Sequence, residues 1–254
     1  MPEGNDETQN EYPVSYASDG GIATITIDRP EKMNALNEGV IQGLRSALHR
    51  FRDGDDRCAI LTASGSHFSV GADIKDAPAE MWQGVPDIGV DCPKPIIAAV
   101  HGWCIGGAYV IVQMCDMVVA ADDTRFKYPE AQVGFTGGLI ASAVARIPHK
   151  VAMEFMLLGE DFDAEKALRA GMVNKVVPRA ELMAAARAWA AILANSAPLV
   201  VGAIKAFVTQ TLNKSPAEAG ARSRDLLLGV RESADGREGR LAFREKRTPR
   251  FEGR

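Results

Sequence analysis

The chain has 254 residues, 46% hydrophobic and 24% charged, the balance of an ordinary water-soluble enzyme long enough to bury a core without metal or disulfide staples. A formal net charge of −4 argues against a nucleic-acid partner, which selects a basic surface, and no apolar run reaches the ~18 residues of a membrane span. The cysteines Cys58, Cys92, Cys104 and Cys115 and the four histidines fit no zinc spacing, so the expectation is free thiols in a reducing compartment, no metal and no membrane.

The opening residues MPEGNDETQNEYP lack the basic start and apolar stretch of a secretory signal. Residues 1–11 read as a frayed tail on a cytoplasmic protein. Val14-Ser15-Tyr16 and Ile22-Ala23-Thr24-Ile25-Thr26-Ile27 predict a hairpin turned at Gly20-Gly21. Asn37 is placed to cap a helix over about 38–52, with Val40, Ile41, Leu44, Ala47, Leu48 and Phe51 on one face. Short apolar strands follow at 59–62, 95–100 and 117–120, and Gly106-Gly107 opens an apolar helix through Met114. Strands alternating with helices predict an α/β architecture with parallel pairing. From about residue 138 the pattern turns almost wholly helical, with helices at 163–171 and 180–194 and two more beyond Pro198. The expected organisation is a core domain over 12–194 and a C-terminal helical region over 195–254 that packs on the core or on a neighbouring subunit.

Three local patterns carry the chemistry. They are Phe68-Ser69-Val70-Gly71-Ala72-Asp73-Ile74-Lys75 after a strand; Val100-His101-Gly102-Trp103-Cys104-Ile105-Gly106-Gly107-Ala108 from strand into helix; and Phe126-Lys127-Tyr128-Pro129-Glu130. Small residues at 71, 72, 106 and 107 admit a ligand close to the backbone. Gly107 falls in the first helical turn, where N–H groups lack intrahelical partners and the dipole favours negative charge. Two such N–H groups aimed at one oxygen form an oxyanion hole. Taken singly, each glycine pattern is weak, and a phosphate site or tight strand–helix packing is the alternative reading. No G-x-G-x-x-G is present, so a dinucleotide site is unsupported.

From about residue 13 to the end the chain resembles the crotonase (enoyl-CoA hydratase/isomerase) family. The likeness runs through Ile27-Asp28-Arg29-Pro30-Glu31-Lys32-Met33-Asn34-Ala35-Leu36, Gly71-Ala72-Asp73-Ile74-Lys75, Val100-His101-Gly102-Trp103, Gly106-Gly107, Cys115-Asp116 and Tyr128-Pro129-Glu130. It continues in Ala164, Ala167, Gly171, Val173 and Asn174, and in Glu238-Gly239 and Ala242-Phe243 before Lys246-Arg247. The resemblance implies a spiral of β-β-α units with a helical C-terminal region, assembled as a homotrimer or homohexamer. It implies an acyl-CoA substrate with no cofactor beyond the coenzyme A that the substrate carries. The thioester oxygen would meet the N–H groups of Ala72 and Gly107. Ala35 and the run Ala72, Asp73, Ile74 and Lys75 would line the CoA arm. Lys32, Lys75 and, from an adjacent subunit, Lys246 would face the nucleotide phosphates.

Family hydratases carry two catalytic glutamates. One corresponds to Glu130. The other falls at Val110, which neither accepts nor donates a proton. A lone carboxylate still moves a proton between two carbons, so the expected reaction is of enoyl-CoA hydratase/isomerase type, a double-bond shift or hydration/dehydration. Burial against Val110 and Tyr128 would raise the pKa of Glu130. Tyr109 and Tyr128 are possible acyl-pocket residues with Val110. His67 and His101 read as structural, and Asp116 as a backbone hydrogen-bonding residue. The link from Ala72 to Pro95 carries Asp87 and Asp91, either of which would stand in for the missing glutamate if the link folds over it. Hydratase-lyase, decarboxylase and CoA-thioester hydrolase chemistry are alternatives within the family, and a CoA-binding scaffold without turnover is an alternative outside it.

Overall fold

The structure is a computed structural model describing residues 12–254; the expected tail at 1–11 lies outside the described residues. β1 (Val14–Asp19) and β2 (Ile22–Ile27) form the predicted hairpin, with Val14 opposite Ile27 and Asp19 opposite Ile22. Gly20 and Gly21 make its two-residue turn at φ 59° and 77°, the left-handed values that such a turn demands. α1 (Glu38–Asp53) starts where Asn37 Oδ1 accepts the Val40 N–H at 3.1 Å, and it buries the predicted face.

The main sheet has six strands in the order β1, β2, β3 (Cys58–Ala63), β4 (Ile96–Val100), β6 (Met117–Ala121), β9 (Lys175–Val177). All pairings after the hairpin are parallel. A second sheet holds β5 (Trp103–Ile105), β7 (Arg125–Lys127) and β8 (Phe162–Asp163). β4 turns at Gly102 straight into β5, and α2 (Gly107–Gln113) follows. β6 likewise leads into β7, and α3 (Glu130–Val133) follows. These are successive turns of the β-β-α spiral that the resemblance implies.

Side chains leave opposite faces of each strand in turn. Along β3, Ala59 and Leu61 join the core beneath α1 and α2. Cys58 and Ile60 join a second core, closed by Leu182, Ala186 and Ala190 of α6 (Leu182–Ala194). The main sheet is thus buried on both sides, which is why its strands read as continuous apolar runs rather than alternating ones.

Two expectations are corrected. The region after residue 138 is not almost wholly helical, because β8 and β9 interrupt α4 (His149–Leu158), α5 (Ala164–Arg169) and α6. β9 is three residues long, too short for a period-two pattern to declare itself. It is held instead by Asn174, whose Oδ1 accepts the Val118 N–H at 2.8 Å and whose own N–H donates to Val118 O at 2.9 Å. Beyond Pro198 there are three helices, not two: α7 (Pro198–Thr211), α8 (Pro216–Glu232) and α9 (Ala234–Glu245). α8 and α9 meet at Ser233, whose hydroxyl accepts the Gly236 N–H at 2.8 Å. One serine between two helical patterns leaves no glycine or proline to mark the break.

Candidate active site

Three segments carry the site, and their register places it. Ser69 pairs with Cys104 in a parallel bridge, and Cys104 pairs with Phe126 between β5 and β7. Ala72 and Gly107 each lie three residues beyond that rung and Glu130 lies four beyond it, so the topology delivers them to one end of the second sheet. Gly71 turns the first segment at φ 88°. A Cβ there would come within 2.8 Å of Ile105 O, so only glycine permits the approach. That Cβ position lies 3.8 Å from the Gly107 nitrogen.

Peptide planarity fixes the direction of two N–H groups. Gly71 C=O accepts from Leu36 N–H at 2.8 Å, so the Ala72 N–H in the same peptide points away from Leu36. Gly106 C=O accepts from Val110 N–H at 3.2 Å, so the Gly107 N–H points off the N-terminal end of α2. Neither N–H has an intramolecular acceptor among the described residues.

Glu130 opens α3 after Pro129. Its segment is fastened to α2 by the Gly106 N–H, which donates to Lys127 O at 2.9 Å. Gly106 sits at φ 56° and ψ −118°, and a Cβ there would lie 2.8 Å from Glu130 Oε1. The carboxyl therefore rests against the glycine step. Val110 is one turn further along the same face of α2 as Gly106 and is 2% exposed. Glu130 Oε2 is buried without a hydrogen-bond partner among the described residues. Burial pushes this carboxyl from 4.5 up to about 7, against a smaller opposing contribution from its own backbone N–H. Such a group both takes and gives a proton near neutral pH.

An aromatic cluster that includes Tyr128, two residues before Glu130, packs behind this segment. Tyr109 meets Phe155 with ring centroids 4.8 Å apart, Phe155 meets Phe162 at 5.0 Å, and Tyr128 lies beside Phe155 at 6.4 Å. Burial pushes the Tyr128 phenol up to about 12, and its hydroxyl lies 3.2 Å from Thr136 Oγ1. The Tyr109 phenol is likewise raised by burial.

The other expected contact residues are spread more widely. Ala35 is buried beside Leu36. Ile74 is 96% exposed, and the side chains of Lys32, Lys75 and Lys246 are exposed, Lys246 at the C-terminal end of α9. Asp73 faces Arg29, whose Nη1 donates to Asp73 Oδ2 at 2.8 Å and holds the carboxyl below its ordinary range. Neither acid of the link stands in for the missing glutamate. Asp91 is exposed, and Asp87 is buried with its carboxylate taken by the Cys92 N–H at 3.0 Å and by Lys205 Nζ at 3.3 Å. Asp116 fills the expected role by accepting the Ile96 N–H at 2.7 Å, and it shares Lys205 at 2.8 Å. Burial keeps His101 below the ordinary histidine range, and His67 Nδ1 accepts the Trp103 N–H at 3.3 Å.

Three further residues have parts that the local sequence does not declare. The Met81 sulfur packs where a side chain on Gly107 would lie, so the 72–95 link roofs the start of α2. Asn34 is fully buried, donates to Ser64 O and His67 O at 2.8 Å each, and accepts the Arg29 N–H at 2.8 Å. Arg29 ties that segment to Asp73. The motif holding Arg29 and Asn34 was visible, but which carbonyls they reach was not.

Comparison with known proteins places the chain in a family. The sequence model of the enoyl-CoA hydratase/isomerase family matches residues 17–254. The chain is 36% identical over 253 residues to a carnitinyl-CoA dehydratase of Proteus mirabilis, covering 92% of this chain and 96% of the relative. It is 37% identical over 254 residues to the carnitinyl-CoA dehydratase of Salmonella typhi, with the same coverage. Among solved structures, an enoyl-CoA hydratase from Mycobacterium tuberculosis H37Rv superposes with a TM-score of 0.74 at 32% identity, covering 96% of this chain and all of the other.

Proposed function

This chain belongs to the enoyl-CoA hydratase/isomerase family, and on that footing we propose that it eliminates water from, or adds it to, an acyl-CoA thioester, with Glu130 as its one acid–base carboxyl. The observation that carries the reading is the Glu130 carboxyl, its Oε2 buried without a partner among the described residues, against Gly106. The thioester oxygen binds between the Ala72 and Gly107 N–H groups, and each donor contributes about 2.7–4 kcal/mol as charge develops. Glu130 takes the proton from the carbon next to the carbonyl, which leaves an enolate. The carbon–oxygen bond one carbon further out then breaks, and the departing hydroxide leaves as water with the proton that Glu130 carried. The similarity to carnitinyl-CoA dehydratases supports elimination.

A second reading rests on Val110. With no carboxyl there to hold a water, Glu130 returns the proton to a more distant carbon and shifts the double bond. Incubation with 3-hydroxyacyl-, 2-enoyl- and 3-enoyl-CoA, followed by absorbance of the conjugated thioester, separates the two. Elimination predicts signal from the hydroxyacyl substrate, and a double-bond shift predicts signal from the 3-enoyl substrate alone. Binding of all three without turnover would leave only the scaffold.

The exposed apolar side chains of α7, among them Leu199 at 87% and Phe207 at 69%, support assembly into a trimer or a pair of trimers. Sedimentation equilibrium reads this directly, and a monomer at micromolar concentration would sink it.

A further inference from the structure

The direction of the Ala72 N–H is set from outside the site. Arg29, with its side chain 16% exposed, donates through Nη1 to Ala35 O at 3.1 Å as well as to Asp73 Oδ2 at 2.8 Å. The peptide that accepts from Arg29 at Ala35 C=O donates at its other end, from Leu36 N–H to Gly71 O at 2.8 Å. The peptide that accepts there, at Gly71 C=O, ends in the Ala72 N–H. A guanidinium, two peptide groups and an N–H with no acceptor among the described residues therefore stand in one file.

Each planar peptide passes its orientation to the next. Each hydrogen bond also polarises the following one, so a cation at the head of the file makes the last N–H a stronger donor. Both ends are braced. Asn34 fixes the Arg29 backbone to the 64–67 loop, and the Asp73 N–H donates to Leu36 O at 2.9 Å.

We infer that Arg29 is a positioning residue for the reaction, orienting and polarising the Ala72 N–H through the Ala35–Leu36 and Gly71–Ala72 peptides. The inference rests on reading Ala72 as a donor to the thioester oxygen. The Arg29 Nη1 is engaged by Ala35 and Asp73, so the role assigned to Arg29 here is distinct from a contact with CoA.

The test uses Arg29→Met, which removes the charge and the Nη1 donor, and Arg29→Lys, which keeps the charge but not the rigid planar group that places Nη1 between its two acceptors. A 2-enoyl-CoA with a 13C thioester carbonyl is bound to each protein, and its stretching frequency is read by difference infrared spectroscopy beside kcat and KM. Wild type lowers the carbonyl frequency, Arg29→Lys lowers it less, and Arg29→Met least. In Arg29→Met, kcat falls about tenfold, less than the roughly hundredfold or greater loss that follows deletion of an oxyanion donor outright, and KM holds.

A folded variant of either kind with wild-type kcat and carbonyl frequency overturns the role of Arg29 alone. So does a loss confined to KM. A wild-type protein that binds the thioester without shifting its carbonyl removes the oxyanion reading, and the file of peptides loses its purpose with it.

Discussion

Replacing Glu130 by glutamine removes the proposed acid–base group and keeps its size. Burial holds this carboxyl at about 7 in place of 4.5, an interval equivalent to about 3 kcal/mol in favour of the protonated form, at about 1.4 kcal/mol per pH unit. Only Oε2 is sealed and the residue as a whole is half-buried, so solvent screening reduces this to about 1–2 kcal/mol. Below 4.5 the group is protonated in both the folded and the unfolded chain and has no effect. As pH rises from 4.5 to about 7 the unfolded chain ionises first, and the wild-type fold loses stability. Above about 7 the full loss applies. Glutamine does not titrate. Glu130→Gln therefore falls near wild type at about pH 5 and exceeds it by about 1–2 kcal/mol at about pH 8. Turnover is lost while CoA affinity is kept. Urea unfolding of both proteins at the two pH values, with calorimetry of CoA binding, reads all of this. A stability difference flat in pH, or wild-type turnover in the variant, refutes the assignment.

Other substitutions probe the surroundings. Val110→Glu places a carboxyl on the same helix face as Gly106; hydration of 2-enoyl-CoA rises by about tenfold and the melting temperature drops, read by absorbance and by thermal melts. Gly106→Ala forces a side chain into a left-handed backbone and against Glu130 Oε1; stability falls by about 1–3 kcal/mol and kcat falls with it, while the circular dichroism spectrum holds. Lys205→Met leaves Asp87 and Asp116 without their shared cation; denaturant unfolding shows a loss of about 3 kcal/mol or more, part of which returns when Asp87→Asn is added.

The parts of the fold legible in the sequence are those in which neighbouring residues determine the outcome. The β1–β2 hairpin follows from its alternation and glycine pair, and α1 from Asn37 and one apolar face. β9 and the α8–α9 break were hidden because each depends on one short polar contact, Asn174 with Val118 and Ser233 with Gly236. Glu130 was found through its motif, and the cause of its shift, burial, was anticipated from Val110 and Tyr128. Asp87 was not placed, because its partner Lys205 comes from α7, which also supplies that lysine to Asp116 from 89 positions away. Periodicity identifies buried faces but does not say which distant charges meet inside them. The same limit hid Arg29, whose bonds to Ala35 and Asp73 close only when two loops fold together.

The rung that joins Ser69, Cys104 and Phe126 has a further consequence. Adjacent strands stand about 4.8 Å apart whatever side chains they carry. A pair of amides a fixed count beyond such a rung takes its spacing from the sheet, and among the neighbouring side chains it depends chiefly on the glycine at 71 that permits the close approach. On the proposed reading, a change at a position such as 110 would redirect the chemistry without moving the proposed grip on the carbonyl.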